Sequence, residues 1–313
     1  MFSSSKDRPL VSVIIPTYKH AYLLRRAIDS VIAQSYQNWE LIVIDNSSKD
    51  GSEELVSNYK NKKILFLSID NQGVIARSRN LGIKHSKGEW IAFLDADDWW
   101  KPQKLEACIN AATIHDVHLV HHDLKISKYL NQKIFLKKLK STQYREPVFQ
   151  SLLQNGNMIF NSSVMVQKES LKRVNYLDES NEKVTWEDYD LWLRLSLLPI
   201  NFLYLKESLG FYWMGGGNTS NPKRVLENLT SIFLNYVDVN LVTKPFWLIY
   251  SVAVNLIYLG YYVDGLKYLR TLNISEIKGA LRIKVIFYFI KAYVGSKFSN
   301  KTYNDSLFKK ISI

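Results

Sequence analysis

The chain has 313 residues, 47% of them hydrophobic and 22% charged, which is the composition of a folded globular protein and excludes a disordered one. Its single cysteine, Cys108, excludes an internal disulfide framework and fits a reducing compartment. The formal charge of +12 is unevenly placed: residues 223–313 hold 13 Lys and Arg against 5 Asp and Glu, so they carry +8 of it. Such a segment suits nucleic acid, an anionic membrane surface or a solvated helical face. The first ten residues, MFSSSKDRPL, lack the apolar core of a signal peptide, and the main domain is expected in the cytoplasm.

Val11–Tyr18 is a short apolar run ending in Pro-Thr-Tyr and reads as a buried strand with a stop. Leu23, Leu24, Ala27, Ile28, Val31 and Ile32 then recur at helical spacing. A second apolar run, Leu41–Ile44, is closed by Asp45-Asn46-Ser47-Ser48, and Asp50-Gly51-Ser52 punctuates before a helix over 52–60. Ile64–Ile69 reads as a third strand and Val74–His85 as a helix. Trp90–Leu94 is the fourth strand, followed by a helix over Pro102–His115 with proline near its start and Cys108 packed inertly within it. This alternation implies a parallel sheet covered by helices on both faces, with ligands bound beyond the C-terminal ends of the strands.

Polar clusters fall at three of those ends: Thr17-Tyr18, Asp45-Asn46, and the run Asp95-Ala96-Asp97-Asp98. Ionised carboxylates are not buried unpaired, so three in four residues require a positive partner or open water. As a continuing strand, Asp95 and Asp97 point to one side and Asp98 begins the turn. Two such oxygen ligands suit a hard divalent cation, Mn2+ or Mg2+. No G-x-G-x-x-G follows the first strand and no G-x-x-x-x-G-K-[ST] occurs, which excludes a dinucleotide fingerprint and an ATPase-type phosphate loop. A nucleotide phosphate here needs metal and basic side chains, and Arg77 and Arg79 are the nearest candidates.

Five segments in order, V-S-V-I-I-P-T-Y, E-L-I-V-I-D-N-S-S-K-D-G-S, N-Q-G-V-I-A-R-S-R-N-L-G-I, G-E-W-I-A-F-L-D-A-D-D-W-W-K-P and W-E-D-Y-D-L-W-L-R-L, together resemble the family 2 glycosyltransferases over about residues 9–215. The resemblance implies an α/β GT-A fold, with a mostly parallel central sheet flanked by helices on both faces. It also implies transfer of a hexosyl or N-acetylhexosaminyl group from a nucleotide-sugar, with inversion, to an acceptor hydroxyl. By that resemblance Pro16, Thr17, Tyr18, Asp45 and Asn46 line the nucleoside pocket. Asp95 and Ala96 lie near the ribose and metal, Asp97 binds the metal, and Asp98 sits behind it or toward the acceptor. Arg77 or Arg79 assists at the leaving diphosphate, where charge builds as the glycosidic bond breaks.

The same resemblance makes Asp188 of Thr185-Trp186-Glu187-Asp188 the base that deprotonates the acceptor hydroxyl, with Glu187 orienting it or touching the acceptor. The bland account of this pair is favourable charge at the start of a helix carrying Leu191, Trp192, Leu195 and Leu198. Arg194 reads as a structural ion pair and Trp192 as core, whereas Trp99 and Trp100 beside the acidic turn are the candidate acceptor platform. Two positions depart from the family pattern. Asn46 stands where many relatives have Asp, which loosens a uridine preference, and Met214 stands where relatives often show His, although Met cannot ligate a hard cation. The glycines at 215–217 suggest a mobile flap or a plain turn.

The expected domains are 1–222, which is catalytic, and 223–313, a basic helical appendage that docks on membrane, packs on the first domain or dimerises. The apolar stretch Phe246–Val263 is at the lower limit for a bilayer span and is interrupted by Ser251, Asn255 and Gly260. Ala280–Lys297 reads as a basic, partly amphipathic helix able to lie on an anionic leaflet. A UDP-sugar donor, a lipid-linked oligosaccharide or glycan acceptor of surface polysaccharide such as lipopolysaccharide or capsule, and a site at the inner membrane face are the expectations. No nucleic-acid motif accompanies the charge. The competing reading is a catalytically inactive nucleotide- or glycan-binding module of the same fold; a module has no need of a base such as Asp188.

Overall fold

The computed structural model describes residues 8–129, 132, 134–179, 186–215, 221–237, 244–275 and 277–303. By backbone contacts the chain divides into two units. The first comprises Met1–Arg145, Asn157–Glu182 and Glu187–Gly216, and the second Glu146–Gly156, Lys183–Trp186 and Gly217–Ile313.

The first unit is built on a sheet of nine strands among the described residues. Strands β1 (Val11–Thr17), β2 (Trp39–Asp45), β3 (Ile64–Ser68) and β4 (Trp90–Phe93) lie in the order β3-β2-β1-β4, all parallel. Every residue of β1 and β4 is buried, as expected of near-continuous apolar runs covered on both faces. Between these strands run α1 (Ala21–Ile32), α2 (Ser52–Ser57) and α3 (Ile75–His85). Helix α3 lies so close to the sheet that a Cβ on Gly82 would fall 2.7 Å from Ile44 Cδ1 and 2.9 Å from Ile14 Cγ2.

Beyond β4 the sheet becomes mixed. It continues through β8 (Met165–Gln167), β6 (Leu119–Ser127), β9 (Phe202–Trp213) and β5 (Trp99–Trp100), with β7 (Lys138–Leu139) paired to β6. Helices α4 (Lys104–His115), α6 (Lys168–Arg173) and α7 (Glu187–Leu195) complete the unit. The arrangement is a mostly parallel α/β sheet flanked by helices. Cys108 is fully buried in α4, in keeping with core packing. The chain leaves the fourth strand one residue earlier than expected, at Phe93, so Asp95 to Asp98 form a turn, closed by Asp98 N–H donating to Asp95 O at 3.0 Å, rather than continuing the strand.

The register fixes the site. Thr17 is opposite Asp45 and Asp45 opposite Ser68, so the C-terminal ends of β1, β2 and β3 are level. Leu94 N–H donates to Ile14 O at 3.1 Å and carries β4 up to the same edge.

The second unit is helical: α5 (Val148–Asn155), α8 (Pro222–Ile232), α9 (Phe246–Tyr258), α10 (Tyr262–Arg270) and α11 (Gly279–Phe298). The apolar stretch 246–263 is two helices broken at Gly260, whose φ of +84° suits glycine. Among the described residues no helix is long and apolar enough to cross a membrane.

Candidate functional site

Thr17, Tyr18, Asp45 and Asn46 meet where β1 and β2 end. Asp45 is buried and accepts from Ser48 N–H at 2.8 Å and from the Ser48 hydroxyl, so its loop closes on its own carboxylate. Asn46 N–H donates to Thr17 O at 2.9 Å, and Asn46 Oδ1 accepts from Asn71 N–H at 2.8 Å, tying the loop after β3 to the edge. The Thr17 hydroxyl is buried with no partner among the described residues, whereas the Tyr18 ring is half exposed with the Lys19 ammonium 5.0 Å from its centroid. Pro16 lies within β1, opposite Ile44. A cleft of about 550 Å³ opens on the far side of Asp45, by the ends of β2 and β3 and the start of α2, lined by Asp45, Ser47, Lys49, Asp50, Phe66 and Ser68 among others.

Four parts of the first unit meet around Arg79, which projects from α3 and is 3% exposed. Its Nη2 donates to Asp95 Oδ1 at 2.7 Å, and its Nη1 donates to Glu187 Oε1 at the start of α7. Asn161 Nδ2 donates to the same Asp95 oxygen at 3.0 Å, and Asp95 N–H donates to the Ser162 hydroxyl at 3.1 Å. Burial alone would depress the guanidinium, but the two carboxylates hold its pKa above the ordinary arginine value. Arg79, expected near the leaving diphosphate, thus bridges two carboxylates through its two terminal nitrogens. Arg77, two residues earlier and so on a different face of α3, is half-buried, donates to Gln72 Oε1 at 2.9 Å and has no carboxylate partner among the described residues.

Asp188 follows Glu187 on α7. Its Oδ1 accepts from Tyr189 N–H at 2.7 Å and its Oδ2 lies 3.5 Å from Asn157 Nδ2. Burial first, and then the neighbouring Glu187 charge, push its pKa up to about 7; burial also raises Glu187, against the pull of Arg79. Thr185 and the glycines at 216–217 lie outside the described residues.

Asp97 is pushed up to about 7 by burial and by the charge of Asp95. Its carbonyl accepts from Arg26 Nη2 at 2.8 Å, while its carboxylate has no salt bridge among the described residues. Ala96 is buried beneath the turn. Asp98 is 1% exposed and its pKa is raised by burial and by Asp97; Oδ1 accepts from Trp213 N–H at 2.8 Å. It braces the turn against β9.

The aromatic platform is also corrected. Trp100 is buried, with its indole Nε1 donating to Ser162 O at 2.7 Å and the Lys104 ammonium 3.9 Å from its ring centroid. Trp99 has Arg26 over its ring at 3.5 Å and stacks on Phe211 at 4.7 Å with rings 10° from parallel. Neither ring has a face for a sugar. Trp192 is fully buried core, and Arg194 pairs with Asp190 at 2.7 Å while capping the carbonyls of Val174 and Tyr176.

The residues that sequence reasoning missed are Arg26, Asn157, Asn161, Ser162 and Tyr212. Tyr212 lies on β9 between Phe211 and Trp213, close enough to Asp95, Asp97, Asp98 and Asp188 that their charges add to burial in raising its pKa. A period-two reading of β9 would have found it, because Phe211 and Trp213 face one way and Tyr212 the other.

The chain matches the family model described as Glycosyl transferase family 2 over residues 12–174. It is 33% identical to an uncharacterized glycosyltransferase of Haemophilus influenzae over 221 residues, 69% of this chain and 84% of the relative. It is 30% identical to the Escherichia coli UDP-Glc:alpha-D-GlcNAc-diphosphoundecaprenol beta-1,3-glucosyltransferase WfgD over 189 residues, 60% of this chain and 70% of that one. The chain spans 58% of the length of the relatives in Rickettsia typhi and Rickettsia prowazekii. The fold resembles Staphylococcus aureus TarS in complex with UDP-GlcNAc, with a TM-score of 0.60 at 17% identity over 94% of this chain and 93% of that one. It also resembles the mannosyltransferase PcManGT of Pyrobaculum calidifontis in complex with GDP-Man and Mn2+, with a TM-score of 0.57 at 16% identity over 94% and 88%. With its ordered motifs and its fold, the chain belongs to glycosyltransferase family 2.

Proposed function

We propose that this glycosyltransferase inverts the anomeric centre of a nucleotide diphosphate sugar, a UDP-sugar, while transferring the sugar to a hydroxyl of a lipid-linked oligosaccharide or other glycan in surface polysaccharide synthesis at the inner face of the cell membrane. The observation that carries the reading is the Arg79 bridge. It draws Asp95 of the acidic turn and Glu187 beside Asp188 onto one guanidinium, so the donor side and the base side belong to one site. The donor in WfgD is UDP-Glc, and TarS holds UDP-GlcNAc, which supports a UDP-sugar here. The diphosphoundecaprenol in the WfgD name supports a lipid-linked acceptor. We assign catalysis to residues 1–222 and membrane docking to 223–313.

The residues fit a divalent cation. Asp97 is a half-buried carboxylate without a salt bridge among the described residues, and Asp95 lies near enough to add its charge. No group of three His, Cys, Asp or Glu side chains among the described residues forms a metal cage. An ion that keeps waters and takes substrate phosphate oxygens beside one or two carboxylates needs no such cage, and Mn2+ or Mg2+ is such an ion. When bound, it stabilises charge on the leaving diphosphate. Asp188, held by Tyr189 N–H with a pKa near neutrality, accepts the acceptor proton as the hydroxyl attacks. Glu187, fixed by Arg79, keeps α7 at the correct depth, and Arg77, whose partners among the described residues are uncharged, supplies a cation for the diphosphate.

The test is a panel of nucleotide-sugars assayed for thermal stabilisation and hydrolysis with Mn2+ present, followed by NMR of the anomeric configuration of the transferred product. Stabilisation by UDP-sugars with inverted product supports the reading. Stabilisation without any turnover would point to the inactive binding module, and a retained configuration would remove Asp188 as the base.

A further inference from the structure

Helix α11 is apolar on two faces, and only one is covered. Val285 and Ala292, seven residues apart, are 0% exposed and face the rest of the helical unit. The Tyr262 ring also packs directly on the α11 backbone, since a Cβ on Gly295 would lie 2.5 Å from it. On the opposite side Ile283, Phe287, Ile290, Val294 and Phe298 follow at steps of four, three, four and four, which is one stripe on an α-helix. Ile283 is 71% exposed, Phe287 59% and Phe298 86%. A row of large apolar side chains of this length on a folded surface marks an interaction site.

The charges identify the occupant. Arg282, Lys284, Lys291 and Lys297 flank or end the stripe, and the 20 residues of α11 contain no Asp or Glu. Long basic side chains on the shoulders of an apolar stripe lay their stems along it and hold their heads at a polar boundary. Two copies of this face brought together would oppose four cations to four cations, which argues against a homodimer through it. A bilayer with anionic headgroups accepts both the apolar stripe and the cations. The same four charges keep the helix from crossing the hydrocarbon core.

We propose that α11 is an in-plane docking helix for an anionic membrane surface, with Ile283, Phe287, Ile290 and Val294 entering the headgroup–acyl boundary and Arg282, Lys284 and Lys291 contacting lipid phosphates. This deepens the reading of the acceptor as lipid-borne and rests on it only for the biological setting, because docking needs no chemistry.

The experiment is sedimentation of the full chain with vesicles of phosphatidylcholine alone or mixed equally with phosphatidylglycerol, at low and high salt. The expected result is binding to the anionic vesicles, weakened by salt. It falls at least about tenfold in the double variant Ile283→Ser with Phe287→Ser, and by a similar factor in Arg282→Gln with Lys284→Gln. Because these side chains face outward, circular dichroism and nucleotide-sugar hydrolysis stay as in the parent chain, so loss of docking is distinguishable from failure of the glycosyltransferase reading. Equal binding by parent and variants would overturn the assignment to α11. No vesicle binding, together with self-association that Phe287→Ser dissolves, would replace the bilayer by a second copy and overturn it too.

Discussion

Arg79 Nη2 lies 2.7 Å from Asp95 Oδ1, and the other terminal nitrogen of the same buried guanidinium holds Glu187, 108 residues further along the chain. One side chain of α3 thus locks the turn after β4 to the start of α7. Removing it as Arg79→Ala leaves Glu187 buried without its cation, a change that costs on the order of 3–5 kcal/mol. Calorimetry should show a melting temperature lower by about 10 °C. Arg79→Lys should recover part of that stability and little turnover, because one ammonium cannot reproduce the fork between two carboxylates.

Asp188→Asn should lower kcat by about 10² to 10⁴ and leave the donor KM unchanged. With the Asp188 pKa near 7, activity of the parent should rise through neutral pH, since the base acts ionised. The stability dependence has the opposite sign. A carboxyl whose folded pKa is raised from 3.8 to about 7 contributes stability that is present below pH 3.8 and lost as pH rises through 7. Asp188→Asn should therefore melt above the parent at pH 8, by a margin that is clearly smaller at pH 5 and closes only below about pH 3.8. Melting curves at the two pH values check this.

Mn2+ at a hundredfold excess over its dissociation constant should stabilise the parent by about 2.7 kcal/mol. Asp97→Ala should abolish both that gain and metal-dependent transfer. A full Mn2+ shift in Asp97→Ala would move the ion to another ligand.

Arg26 is a positioning residue: it donates to the Asp97 carbonyl and lies over Trp99. Arg26→Ala should weaken Mn2+ half-saturation about tenfold, the cost of one charge-assisted hydrogen bond, while the UDP-sugar KM measured at saturating Mn2+ stays within twofold. Arg26→Lys should restore part of the Mn2+ affinity. A metal titration unchanged in Arg26→Ala would remove the role.

The parallel half of the sheet was legible because each apolar run ends in a polar punctuation, and level strand ends bring Thr17, Asp45 and Asp95 together. The antiparallel half was not. Strand β6 buries His121, His122 and Asp123, whose polarity hides its strand pattern. Asp123 is satisfied by Ser141 N–H, Tyr204 OH and Lys138, from residues 15 to 81 positions away, and burial pushes both histidines down to about 3, so they stay neutral. The motif also could not say that Arg79 faces two carboxylates, or that Trp99 and Trp100 turn inward. A pair of tryptophans beside an acidic turn is equally consistent with a sugar platform and with a brace, and only the stacking of Arg26 and Phe211 on Trp99 decides between them.

That sandwich gives the acidic turn an optical label of its own. The Trp99 indole carries a guanidinium 3.5 Å above its ring, and the same guanidinium grips the Asp97 carbonyl. Any ligand that shifts the turn changes the field on that indole and hence its emission. Trp99→Phe provides the subtraction that isolates the signal among eight tryptophans, so occupancy of the site can be followed in real time without a dye or a coupled enzyme.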